Sequence, residues 1–181
     1  MITIDLNTAT NLLKKAFGSG RPNVRLSALL SNSDLKQLAL QHSSQLYTNP
    51  LYALLVTHAN ADASLCELLL SLSNGSNEVA TAIATSGRSS LSTLEQLLNS
   101  ESPIVAEQAK LAIISQSIKD LNESSLSTLL KKYENDDPFS VSVRYIIAVN
   151  KATPMPILEI LKNDEYDHIS QAAAETLKNE K

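Results

Sequence analysis

The chain has 181 residues, 43% of them hydrophobic and 19% charged, with a formal net charge of -4 and a pI near 5.4. That is enough apolar material to bury a core, so global disorder is excluded, and the acidic balance argues against nonspecific binding to a nucleic-acid backbone. A single cysteine, Cys66, excludes an internal disulfide and a cysteine-ligated zinc or iron–sulfur centre, and fits a reducing compartment.

Read from the start, "MITIDLNTAT" lacks the basic start and apolar core of a signal peptide, and no later apolar stretch approaches a membrane span. The expectation is a soluble cytoplasmic protein. "MITI" alternates like a strand but is only four residues long. Thr8 is placed to cap a helix ending at Phe17, before Gly18. "FGSGRPNVR" then offers Gly18-x-Gly20 beside Arg21 and Arg25, with Lys14 and Lys15 upstream. It reads as a small phosphate patch or as a helix C-terminus with basic residues at the dipole's negative end. The second reading is favoured because no Walker lysine follows. Asn49-Pro50 has the form of an N-cap and a proline at the first helical position. Leu65, Leu68, Leu69 and Leu72 are at helical spacing, with Gly75 just beyond; Leu91, Leu94, Leu97 and Leu98 form a second such set. Ser102-Pro103 and Thr153-Pro154 repeat the cap-then-proline signal. Ten or eleven short helices are expected. Scarce glycine agrees, because β-rich and doubly wound folds use more of it in turns. With four per cent aromatics and no tryptophan, the core must be built from Leu, Ile, Val and Ala, and Tyr133, Tyr145 and Tyr166 are expected to fill it.

The helices recur in register. Aligning Val79 with Val143 brings Ile83 onto Ile147, Ala84 onto Ala148, Ser89 onto Thr153, Leu94 onto Leu158, Leu97 onto Leu161 and Val105 onto Ile169. An earlier copy brings Leu55 onto Ile83, Cys66 onto Leu94, Glu67 onto Glu95 and Leu69 onto Leu97. The copy between Val105 and Val143 is longer. Its extra residues are expected before "SSLSTL", a hexapeptide found identically at 89–94 and 124–129, and in "YENDDPFS". Each unit reads as a helix, a short turn capped by Ser89 or Thr153, and a second helix, with Pro154 and Pro156 in a first turn that has no N–H partners to lose. One such hairpin cannot bury its apolar faces alone, but stacked neighbours can. The expected fold is therefore all-α: an α-α superhelix, a solenoid of short helix pairs in one domain over 1–181. Its approximate units are 8–48, 49–78, 79–104, 105–142 and 143–168, with 169–181 as a terminal cap.

"VRYIIAVNKATPMPILEILKNDEYDHI", from Val143, resembles the leucine-rich repeat variant, a helical repeat akin to HEAT and armadillo repeats. Val143, Arg144, Ala148, Asn150, Thr153, Pro154, Leu158, Leu161, Asp164 and Ile169 stand in that unit's places, while Ala80, Ala106 and Ser170 occupy the Arg place elsewhere. The resemblance implies a right-handed superhelix of paired short helices. A known member carries an N-terminal iron–sulfur domain, which a lone Cys66 could not ligate. These are scaffold motifs and name no ligand.

Chemistry is sparse. His42, His58 and His168 lie in different repeats, too far apart for a shared metal site in a solenoid. "NDEYDH" at 163–168 and "YENDDP" at 133–138 read as polar loops rather than cation sites. Cys66 aligns with core leucines and is expected to be buried. Glu67, Glu95 and Glu159 recur at one place in three second helices, which makes an acidic stripe for a basic protein partner or a merely solvated flank. The expectation is a protein–protein interaction or assembly scaffold, without catalysis or cofactor, binding neither nucleic acid nor membrane, and monomeric or weakly self-associating. The alternative is a HEAT-like nucleic-acid-binding or DNA-repair-type protein. It should show a basic concave face and aromatic side chains to hold an extruded base, and only Arg21, Arg25, Arg88 and Arg144 supply guanidinium groups.

Overall fold

Short polar side chains start the helices. In the computed structural model, which describes residues 30–43 and 48–179, Ser31 opens α1 (Asn32–Gln41) with a capping box: its hydroxyl accepts from Asp34 N while Asp34 accepts from Ser31 N at 2.8 Å. α2 (Thr48–Val56) follows. Asp62, Ser76 and Ser90 cap α3 (Ala63–Leu72), α4 (Asn77–Thr85) and α5 (Leu91–Leu98). Ser102 precedes α6 (Pro103–Ser117), which tightens into a 3₁₀ turn at Ile118–Asp120. Asn122 and Asp137 cap α7 (Glu123–Lys132) and α8 (Pro138–Val149), Pro154 stands before α9 (Met155–Leu161), and α10 (Asp167–Asn179) ends the series. The structure is all-helical, with ten α-helices and no strand among the described residues. None of these helices is long and apolar enough to cross a membrane. The Thr8–Phe17 helix, the "MITI" segment and the Gly18–Arg25 cluster lie outside the described residues.

The chain divides into two compact units, Met1–Arg88 and Ser89–Lys181. In the first, α1 packs on α2 and α3, and α4 packs on α2 and α3. In the second, α5 packs on α6, α6 on α8, α7 on α9, and α10 on both α8 and α9. Second neighbours along the chain thus touch repeatedly: α1 with α3, α2 with α4, α6 with α8, α7 with α9, and α8 with α10. Leu126, Val143, Ile147, Leu158 and Ile169 form the fully buried centre of the second unit.

The caps set the true register. Four residues after each cap at Asp62, Ser90, Asn122 and Pro154 stands a residue with no exposed surface: Cys66, Leu94, Leu126 and Leu158. The burial expected for Cys66, Leu97 and Leu161 holds, at 0%, 5% and 2% exposure. The two "SSLSTL" segments, by contrast, are not equivalent. In the first, Ser90 is the cap; in the second, Ser124 and Ser125 are already inside α7, because Asn122 takes the cap. Leu129 therefore does not correspond to Leu94, and Leu126 does.

Several cap assignments move by a residue. The second-helix caps are Ser90 and Pro154, not Ser89 and Thr153; Ser89 is buried, and the Thr153 hydroxyl turns inward to donate to Ile147 O at 2.7 Å. Asn49 is inside α2 rather than capping it, and the Thr48 hydroxyl reaches back to His42 O at 2.9 Å. After α3, Asn74 and Gly75 both take positive φ, 49° and 79°, and glycine tolerates that conformation without a Cβ penalty. Tyr133 is buried as expected, whereas Tyr145 is 42% exposed, because at its place on α8 the side chain faces outward. Tyr52, fully buried, is the aromatic that fills the first unit, its hydroxyl donating to Ala39 O.

The register has a direct consequence. Leu126→Ala is expected to cost about 2–5 kcal/mol in urea unfolding, as for a fully buried leucine, and Leu129→Ala, at a half-buried site, clearly less. Equal losses would return Leu129 to the core position.

Candidate functional site

Charge in the second unit converges on one buried guanidinium. α8 points Arg144 inward, leaving it 6% exposed. Its Nε donates to Asp164 Oδ2 at 2.8 Å, and Nη1 donates to Tyr133 O and Asn135 O at 2.9 and 2.8 Å. Nη2 lies 3.9 Å from carboxylate oxygens of both Asp136 and Glu165. The guanidinium also sits over the Tyr166 ring, 5.6 Å from its centroid. One side chain thereby joins the turn after α7 to the turn after α9. "YENDDP" and "NDEYDH", which read in sequence as separate polar loops, are neighbours.

The helix ends explain why an arginine is needed. The last carbonyls of α7 lack intrahelical donors, and a cation there complements the negative end of the helix dipole. The Asp164 side chain is only 8% exposed, and a carboxyl group so far removed from water needs a close hydrogen-bond donor. Its other oxygen accepts from Tyr166 N, which shapes the entry to α10. Asp136 and Glu165 are both 64% exposed and meet each other at the rim. The hydrogen bond to Asp136, and then that group's negative charge, hold the Glu165 carboxyl above its ordinary range; Arg144 pulls the other way and does not cancel them.

Glu67, Glu95 and Glu159 are exposed and occupy the same place, five residues after the caps, on α3, α5 and α9. Glu67 belongs to the first unit and the other two to the second. On α7 the equivalent residue is Ser127, so the recurrence is interrupted there. Glu159 pairs with Lys162 at 2.9 Å on an exposed flank, a contact worth about 0–1 kcal/mol. His42 and His58 are buried in the first unit, and His58 Nδ1 accepts from Asn60 N; His168 is exposed in the second. Among the described residues no group of three or more His, Cys, Asp or Glu is placed to hold a metal ion. Arg88 donates to Ser86 O, beside its own turn. An open depression in the first unit, between Ser43, Thr48, Asn49 and the Leu72–Ser76 turn, is lined entirely by uncharged residues.

Arg144 and Asp164 stand out in the sequence singly, but not their union; the available signal is the arginine itself, where the aligned positions carry Ala80, Ala106 and Ser170. No family model, curated protein or solved structure matches this chain.

The rim pair gives a pH prediction. With its folded pKa raised, Glu165 contributes stability only while protonated; that contribution is present below the ordinary carboxylate range and is lost as pH rises through the raised value. Near neutrality the ionised group therefore opposes folding. Glu165→Gln, which cannot ionise and can donate to Asp136, is expected to raise the thermal midpoint at neutral pH, with the difference closing on acidification. A lower midpoint at neutral pH would mean that the attraction to Arg144 outweighs the Asp136 contact.

Proposed function

We propose that this protein is a helical-repeat scaffold, an α-solenoid of short helix pairs, that binds another protein and does no chemistry of its own. The observation that carries the reading is the division of labour among its side chains. The polar residues at the repeat places, Arg144, Thr153 and Asp164, are bonded inward to carbonyls or to each other. The outward helix faces carry apolar residues such as Leu91, Met155 and Ile160, 51–58% exposed, next to glutamates. Apolar side chains with charged neighbours are the composition of a contact surface. The contacts between second neighbours, α1 with α3, α2 with α4 and α7 with α9, support stacking of helix pairs. A cytoplasmic location and a basic partner complete the proposal.

On this reading the second helices form the contact face, and carboxylates at its rim steer association more than they hold the complex. With a captured partner, changing Glu67, Glu95 and Glu159 together to Gln is expected to slow association and flatten its salt dependence, without altering the circular dichroism spectrum. Unchanged kinetics would remove the glutamates from the interface. Turnover of a substrate, or retention of nucleic acid at physiological salt, would end the scaffold reading itself.

A further inference from the structure

The two turns joined by Arg144 lie beside an aromatic cluster of which only Tyr166 packs on the core. Tyr145 projects from α8 and His168 from the first turn of α10, so their rings, 5.7 Å apart between centroids, bridge two packed helices. Tyr166 meets His168 edge-on at 5.8 Å. Tyr145 is 42% exposed, His168 is exposed, and Val149, one turn further along α8, is 43% exposed. Together they make a small exposed shelf with aromatic faces.

The Tyr166 end of the shelf is acidic. Glu165 and Asp167 flank Tyr166 in the chain, both exposed, and Arg144 brings the Asp136 carboxylate to the same turn. Two cations of this region are committed, Arg144 on Asp164 and Lys162 on Glu159, while Lys151 stands exposed two residues beyond Val149. Arg144 also covers a face of Tyr166 from inside, which leaves Tyr145 and His168 as the outward rings. An aromatic face attracts a cation through its quadrupole, and the alkyl stem of Lys or Arg packs on apolar surface.

We propose that the Tyr145–His168 ring pair, with Val149 and the carboxylates of Asp136, Glu165 and Asp167 around it, docks a lysine- or arginine-bearing segment of a partner protein. This rests on the scaffold reading and places a contact on α8 and α10, apart from the glutamates of the second helices. Asp136 and Glu165 both lie 3.9 Å from Arg144 Nη2, so an incoming cation meets two exposed carboxylates at one turn.

The test is a titration of the isotopically labelled full chain with an oligoarginine peptide, followed by amide shifts, with oligoglutamate as control. Saturable shifts centred on Tyr145, Tyr166 and His168 are expected, absent with oligoglutamate. Tyr145→Ala should weaken binding about two- to fivefold, the range of an exposed cation–π contact, and Tyr145→Phe should restore it. Shifts that gather instead at Glu67, Glu95 and Glu159, or an affinity indifferent to Tyr145→Ala in a chain of unchanged circular dichroism, would overturn the site. A cellular partner held equally well by Tyr145→Ala would overturn the site and leave the scaffold reading standing. Nucleic acid retained by the wild-type chain at physiological salt would overturn the scaffold reading, and this site with it.

Discussion

The second unit depends on how it accommodates a buried guanidinium. Taking Arg144 and Asp164 out of water costs several kcal/mol per ion, and the cost is offset only when the remaining donors are used. Here Nε is on the carboxylate and Nη1 is shared by the carbonyls of Tyr133 and Asn135, while Nη2 faces the rim carboxylates of Asp136 and Glu165 at 3.9 Å, an ion-pair rather than a hydrogen-bond distance. The geometry that makes burial tolerable also fixes the fold, because the three partners come from two turns widely separated in the chain. Breaking such a pair from one side costs about 3–5 kcal/mol. A domain's whole stability is about 5–15 kcal/mol, so the packing of α7, α8 and α9 is tied closely to this contact.

The same need recurs elsewhere. Each helix leaves its last carbonyls without intrahelical donors, and a buried carbonyl must find one. Thr153 donates to Ile147 O, Thr176 from α10 donates to Ala148 O, and in the first unit Thr48 serves His42 O and Tyr52 serves Ala39 O. Hydroxyls and one guanidinium do at these positions what glycine caps do in other helical proteins. Such residues tie each helix end to its neighbour in the chain or to the helix packed on it. The outward surface carries Leu91 on α5, Met155 and Ile160 on α9, and Tyr145 and Val149 on α8.

Local patterns in the sequence predicted local structure well. Helical spacing located the helices, and the alignment of Cys66 with leucines anticipated its burial, because periodicity and cap chemistry are short-range properties. The differences arise where packing decides between two local options. Thr153 has the form of a cap, yet a buried carbonyl one turn back claims it and Pro154 takes the cap position. The repeated "SSLSTL" misled because identity of residues is not identity of environment: Asn122 supplies an earlier cap and shifts the second copy along its helix. Composition alone favours the core for Tyr145, whereas its place on α8 points it outward. The junction of the two acidic turns could not be read at all, since it depends on the path of three helices.

The most direct test of this account is amide hydrogen exchange in Arg144→Ala compared with the natural chain. If Arg144 is the clamp, protection should fall at the turns of 133–137 and 162–167 and along α9, while the amides of α1 to α4 keep their rates. Unchanged exchange at both turns would contradict the claim that Arg144 holds them together, and an equal loss across both units would contradict the claim that its effect is confined to the second.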